Sequence, residues 1–164
     1  MSSPATDPRR LRIADLSDVE ALARLINAAF SVESFFLDGD RIDADSVCKL
    51  MGSGLFLLLQ DDHGIGGCVY LEPRVDRAYL GLLSVDPLRQ RRGLGSWLVR
   101  AAEDHARRSG MKRMDLRIVN LRQELPEFYR GLGYVVTGTS AFSPDVITKQ
   151  PCHFINMSKA LGSA

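Results

Sequence analysis

The spacing of apolar residues changes several times along this chain, and each change marks the edge of an element. Residues 11–15 alternate and predict a short strand. From Leu16 to Phe30 the period is helical: Leu22, Leu25, Ile26 and Ala29 share a face, and Asp15 or Ser17 is the expected cap. A loop holding Phe30, Phe35 and Phe36 among Glu33, Asp38, Asp40 and Asp43 leads to a second helix near Asp43–Met51. The period then drops to two. Residues 54–73 predict a hairpin turning around Asp61–Gly64. Residues 77–87 are apolar on both sides, as in a buried strand.

Helical spacing returns with Leu94, Trp97, Leu98, Ala101, Ala102 and His105, and Gly110 is the expected stop. Residues 112–120 predict a strand, and residues 124–134 a short helix ended by Gly131 or Gly133. Two closing strands follow, within 134–142 and 152–161. We expect a disordered leader at 1–9, a frayed tail at 161–164, and one domain over 10–161. The order of elements predicts an α/β fold: a mixed, mostly antiparallel sheet with helices on both faces.

Composition narrows the function classes. At 164 residues the chain can bury one sizeable core, and its net charge of +1 argues against a general nucleic-acid surface. No apolar run approaches the roughly 20 residues of a membrane span. The first ten residues lack the apolar core of a signal peptide, so a cytoplasmic protein is expected. Three cysteines and three histidines are scattered without ligand spacing, so we expect no metal site and a reducing compartment.

Chemistry concentrates between the buried strand and the long helix. There Arg89, Gln90, Arg91 and Arg92 precede Gly93, Leu94, Gly95 and Ser96. A helix start already carries partial positive charge, so exposed cations there cost roughly 0.3–1 kcal/mol each. The arrangement becomes favourable once an anion arrives. Free amides of the first turn point at one spot, glycines let the backbone approach it, and arginines close on its oxygens. The dinucleotide fingerprint fails because Leu98 stands at the third glycine position, and no Lys-Ser/Thr pair follows for a nucleotide P-loop.

Gln90-Arg91-Arg92-Gly93-Leu94-Gly95 resembles the Q/R-x-x-G-x-G/A motif of the Gcn5-related N-acetyltransferase (GNAT) superfamily. Residues 80–118 are similar to that family's acetyl-CoA core, and Phe128–Tyr134 resembles its Y-x-x-x-G-F/Y signature. The resemblance implies a splayed pair of parallel central strands, acetyl-CoA as co-substrate, and direct transfer of acetyl to a primary amine. It implies that Leu83, Ser84 and Val85 bind the pantetheine arm. Gln90, Arg91, Arg92, Gly93, Leu94, Gly95 and Ser96 would hold the pyrophosphate, Asn120 would contact the cofactor, and Tyr129 would protonate the leaving sulfur.

Two positions depart from the pattern. Tyr79 stands where some relatives carry a glutamate base, and the interval from Asn120 to Tyr129 is two residues longer than is common. A lysine-like amine is about one part in 10³ neutral at pH 7, so a base or proton wire helps. The candidates are Glu72 acting through water and Glu33, Asp38 or Asp40 in the loop after the first helix, and transfer without a dedicated base stays open. The Phe30–Asp43 loop, an apolar wall edged with acids, suits a cationic amine on a small molecule or polypeptide. Family members are often dimers, so the resemblance leaves room for a homodimer paired through the C-terminal strands, which nothing in the sequence decides. The alternative reading is a non-catalytic acyl-CoA-binding or regulatory module.

Overall fold

The computed structural model describes residues 10–90 and 92–162, so the expected leader at 1–9 and the Arg91 contact lie outside the described residues. Seven strands form one sheet: β1 (Arg10–Ile13), β2 (Leu55–Asp61), β3 (Gly64–Pro73), β4 (Arg77–Val85), β5 (Arg113–Val119), β6 (Val135–Ala141) and β7 (His153–Ala160). Their spatial order is β1-β2-β3-β4-β5-β7-β6. Only β4 and β5 run parallel; every other neighbouring pair is antiparallel.

Helices α1 (Val19–Phe30) and α2 (Ala44–Ser53) cover one face, and α3 (Leu94–Arg108) and α4 (Leu125–Gly131) the other. A 3-10 turn over Leu16–Asp18 precedes α1, where Asp15 is the cap and Asp18 answers it in a reciprocal capping box. Asp43 caps α2 by accepting from the Ser46 amide at 2.8 Å. The glycine at 110 takes a positive φ of 83° and ends α3, as the pattern predicts.

Two apolar layers result. Leu57, Leu59, Val69 and Leu71 point to α3, while Phe56, Leu58, Cys68 and Tyr70 point to α1 and α2. The apolar runs of β2 and β3 are continuous because both of their faces are covered.

Two expectations need correction. The frayed tail cannot begin at 161, because Leu161 is buried in the α3-side core and its amide donates to the Lys112 carbonyl at 2.9 Å. The inner face of α3 is also rotated. Leu94, Leu98, Val99, Ala102, Glu103 and Ala106 are buried, while Trp97, Ala101 and His105 sit at the margin. A glutamate faces inward because Tyr134 donates to Glu103 Oε2 at 2.8 Å and Lys159 Nζ to Oε1 at 2.9 Å. A charge can be buried when it is paired and hydrogen-bonded.

Candidate active site

The parallel ladder between β4 and β5 is short. Arg77, Ala78 and Tyr79 pair with Arg113, Met114 and Asp115, and there the pairing stops. Beyond it β4 continues to Val85 against β3, and β5 continues to Val119 against β7. Residues 80–85 and 116–119 therefore each turn one unpaired backbone edge toward a gap at the centre of the sheet. An extended, amide-bearing chain can hydrogen-bond there as an added strand. A register shift opposite Cys68–Tyr70 accompanies the gap, and Leu82 there has a left-handed φ of 51°. The bulge carbonyl of Leu82 accepts from the buried Ser84 hydroxyl at 2.9 Å. Ser84 thus stabilises the bulge with its side chain, while Leu83 and Val85 point toward the α3 layer.

One end of the gap opens on the start of α3. Gly93 is the N-cap in a left-handed conformation (φ 74°), and no described side chain caps the helix. The first intrahelical bond comes from the Trp97 amide to Gly93 O, which leaves the Leu94, Gly95 and Ser96 amides facing outward. A Cβ at Gly95 would lie 3.6 Å from Phe128 and 3.9 Å from Leu83, so this glycine adjoins the gap. Arg92 is exposed at the rim, and Gln90 is exposed with its amide 3.5 Å from Val85 O. Arg89 plays another part. Its guanidinium is 2.7 Å from Asp61 and 3.8 Å from Asp86, tying the β2–β3 hairpin to this turn.

The other end of the gap widens into a cavity of about 580 Å³ lined by Leu83, Leu116, Tyr129 and the loop after α1. Tyr129 is buried, and its hydroxyl makes no hydrogen bond to another described residue. Burial raises its pKa, so the phenol stays protonated at neutral pH and can donate. The gap, the outward-facing amides at the start of α3 and the buried tyrosine together make up the candidate site.

The sequence pattern of the Acetyltransferase (GNAT) family matches residues 19–134. The chain belongs to that family. The Xenopus tropicalis protein named "Probable N-acetyltransferase 14" is 31% identical over 86 residues, 51% of this chain and 42% of its own length. The aligned part is thus less than half of that curated relative. Among solved structures, Salmonella typhimurium yncA, determined with acetyl-CoA, aligns at a TM-score of 0.75 and 19% identity, covering 96% of both chains. The ribosomal-protein-S18-alanine N-acetyltransferase of Escherichia coli aligns at 0.75 and 18%, covering 95% of this chain and 96% of its own. At such identities the likeness is one of fold.

Other expected site residues of this GNAT protein are dispersed. Glu72 lines a second, larger cavity of about 920 Å³ rather than the one lined by Tyr129. Its carboxylate accepts from the Tyr70 hydroxyl at 2.9 Å and lies 3.5 Å from Arg74. Asn120 Oδ1 accepts from the His153 amide at 2.9 Å, clamping the end of β5 to the start of β7. Its side-chain nitrogen is left to donate to a cofactor.

The acid-edged wall is also changed. Asp43 is occupied as a helix cap, Asp38 pairs with Lys149 at 3.0 Å, and Glu33 pairs with Arg122 at 3.0 Å. Phe36 is wholly buried with Val119 and Phe154. Arg122 is a residue that pattern reading misses, because it lies in the irregular segment between β5 and α4. The cations of the larger cavity were missed as well, although Arg113, Asp115 and Arg117 alternate visibly along β5.

Proposed function

We propose that residues 10–161 form one catalytic domain that transfers acetyl directly from acetyl-CoA to a primary amine, in the cytoplasm. The observation carrying this reading is the gap beyond Tyr79 and Asp115, with the protonated Tyr129 hydroxyl at its inner end. The unpaired backbone of Leu83 and Val85 binds the pantetheine arm. The amides of Gly93 to Ser96 hold the pyrophosphate, together with Arg92, Gln90 and Arg91. The Asn120 side-chain nitrogen supplies a further cofactor contact.

Acetyl-CoA supplies an activated acetyl thioester. Transfer joins the amine nitrogen to the acetyl carbon, releases CoA as its thiol, and moves one proton from nitrogen to sulfur. Tyr129 holds the proton needed at sulfur, since its phenol is un-ionised and has no hydrogen-bond partner among the described residues. Glu72 relays the amine proton through water along the shared wall of the two cavities. A homodimer forms through β6, whose seven residues are all exposed. No described helix is long and apolar enough to cross a membrane.

A thiol-release screen over amino acids, polyamines, aminoglycosides and peptides, run beside a calorimetric titration with acetyl-CoA, tests the reading. Micromolar acetyl-CoA binding and CoA release with one amine class are expected. Binding with no turnover for any amine, and no effect of Tyr129→Phe, would favour a non-catalytic acyl-CoA-binding module.

A further inference from the structure

The larger cavity carries a charge that acetyl transfer alone does not require. Its wall holds six cations against two carboxylates, in a chain whose net charge is +1. Asp115 engages Arg77 at 3.0 Å, and Glu72 lies 3.5 Å from Arg74. The other four, Arg41, Lys49, Arg113 and Arg117, have no ion-pair partner among the described residues. Arg41 lies over the Phe30 ring at 5.4 Å and Arg117 over Phe154 at 4.2 Å. Arg113 donates only to the Ser158 hydroxyl, at 3.0 and 3.2 Å.

These cations come from separate parts of the chain: the approach to α2, α2 itself and β5. They converge on one concavity large enough for a small ligand. A concave wall of one sign focuses its field on whatever enters. The position on β5 is informative too. An inner strand covered on both faces would be apolar at 113 and 117; charge there means that no apolar layer covers the sheet on this side. Arg41, Tyr79, Gly81, Leu82, Leu116 and Arg117 line both cavities, so an occupant of the larger one borders the gap that ends at Tyr129.

We propose that this cavity is an anion-binding site selecting a primary-amine acceptor that carries one or more carboxylate or phosphate groups, held by Arg41, Lys49, Arg113 and Arg117. The proposal rests on the acetyl-transfer reading above for the word acceptor, and on the cavity alone for the word anion. The same charges favour reaction: like charge disfavours the ammonium form, which raises the neutral, nucleophilic fraction of the amine.

Two readouts test it separately. In calorimetry on the whole chain, glutarate and glycerol phosphate serve as dianions without an amine. Binding of at least one is expected, weakened about ten-fold in the Arg113→Gln/Arg117→Gln variant, and the two arms distinguish carboxylate from phosphate. Lys49→Glu, on the exposed side of α2, provides a second variant should the first fail to fold. In thiol release, glutamate, phosphoethanolamine and an acidic peptide are compared with spermidine and a lysine-rich peptide. The anionic amines are expected to lead by about ten-fold in kcat/KM, and the variants to erase that lead without altering acetyl-CoA affinity. Absence of dianion binding, binding unchanged in both variants, or a lead for the polycations overturns the proposal. Dianion binding that depends on these residues, with no amine acetylated at all, supports the anion site and overturns the acetyl-transfer reading.

Discussion

Arg122, between β5 and α4, donates to Glu33, between α1 and α2, across 3.0 Å and 89 positions of sequence. Glu33 is almost fully buried, and the pair joins the two loops that wall the smaller cavity. Burial is the largest influence on this carboxyl and raises its pKa, with Arg122 pulling the other way. A carboxyl raised on folding contributes most below the unfolded value of about 4.3, and loses that contribution as pH rises through the folded value. Glu33→Gln mimics the protonated form. The melting temperature of the variant relative to wild type should therefore increase between pH 4 and pH 7. A difference that is flat or falls over that range contradicts the assignment.

Tyr129→Phe removes a hydroxyl that no described residue uses. The fold should not register the change, and acetyl-CoA affinity should stay within about two-fold. As a proton donor to sulfur, the hydroxyl is worth about 10²-fold in kcat. Rapid-quench or steady-state thiol release measures this, and an unchanged kcat removes Tyr129 from the chemistry.

Gly95 separates folding from binding. A methyl group there meets only ordinary contacts, and alanine is the better helix former by about 0.5–1 kcal/mol. Gly95→Ala should melt slightly higher than wild type yet bind acetyl-CoA more weakly, and Gly95→Glu should fold and lose binding. Gly93 is the poorer probe, because its left-handed φ makes any side chain strained.

Arg89 and Arg92 should behave oppositely. Arg89→Ala breaks the pair with Asp61 that ties the β2–β3 hairpin to this turn and is expected to lower the denaturation midpoint, leaving acetyl-CoA affinity intact. Arg92→Ala, at the exposed rim, should leave the melting curve unchanged and weaken binding about ten-fold. Denaturant titration and calorimetry on the same two preparations check both halves.

Lys159→Met leaves Glu103 buried beneath Tyr134 with its charge uncompensated. Removing one partner of a buried pair costs about 3–5 kcal/mol, and Lys159 is a quarter exposed, which argues for the lower end. For a domain of this size a loss of about 3 kcal/mol lowers the melting temperature by roughly 6–12 °C. Glu103→Leu/Lys159→Met, which removes both charges, should recover much of it. A single variant that melts like wild type would show the pair to be energetically idle.

Much of this architecture is local and was legible in residue order alone. Period-two runs at 54–73, helical spacing at 16–30 and 94–108, and glycine at the end of α3 report backbone preferences that act within a few residues. The Gln90–Gly95 turn is equally local: the proposed phosphate cradle is made of consecutive amides, so its parts are neighbours in sequence. Even the anion site left a trace, since charge at 113 and 117 contradicts the apolar filling expected of a covered inner strand. Which of these parts meet is a matter of packing in three dimensions. The β4–β5 gap exists because pairing stops at Tyr79 and Asp115, a fact of strand divergence that no composition reveals. Glu33 found Arg122, Glu103 found Lys159, and Arg89 turned from the phosphate cradle to Asp61. Each partner lies 28 to 89 positions away. Sequence patterning sets which face of an element is apolar; the partner of a buried charge depends on how whole elements pack, and that is settled only in three dimensions.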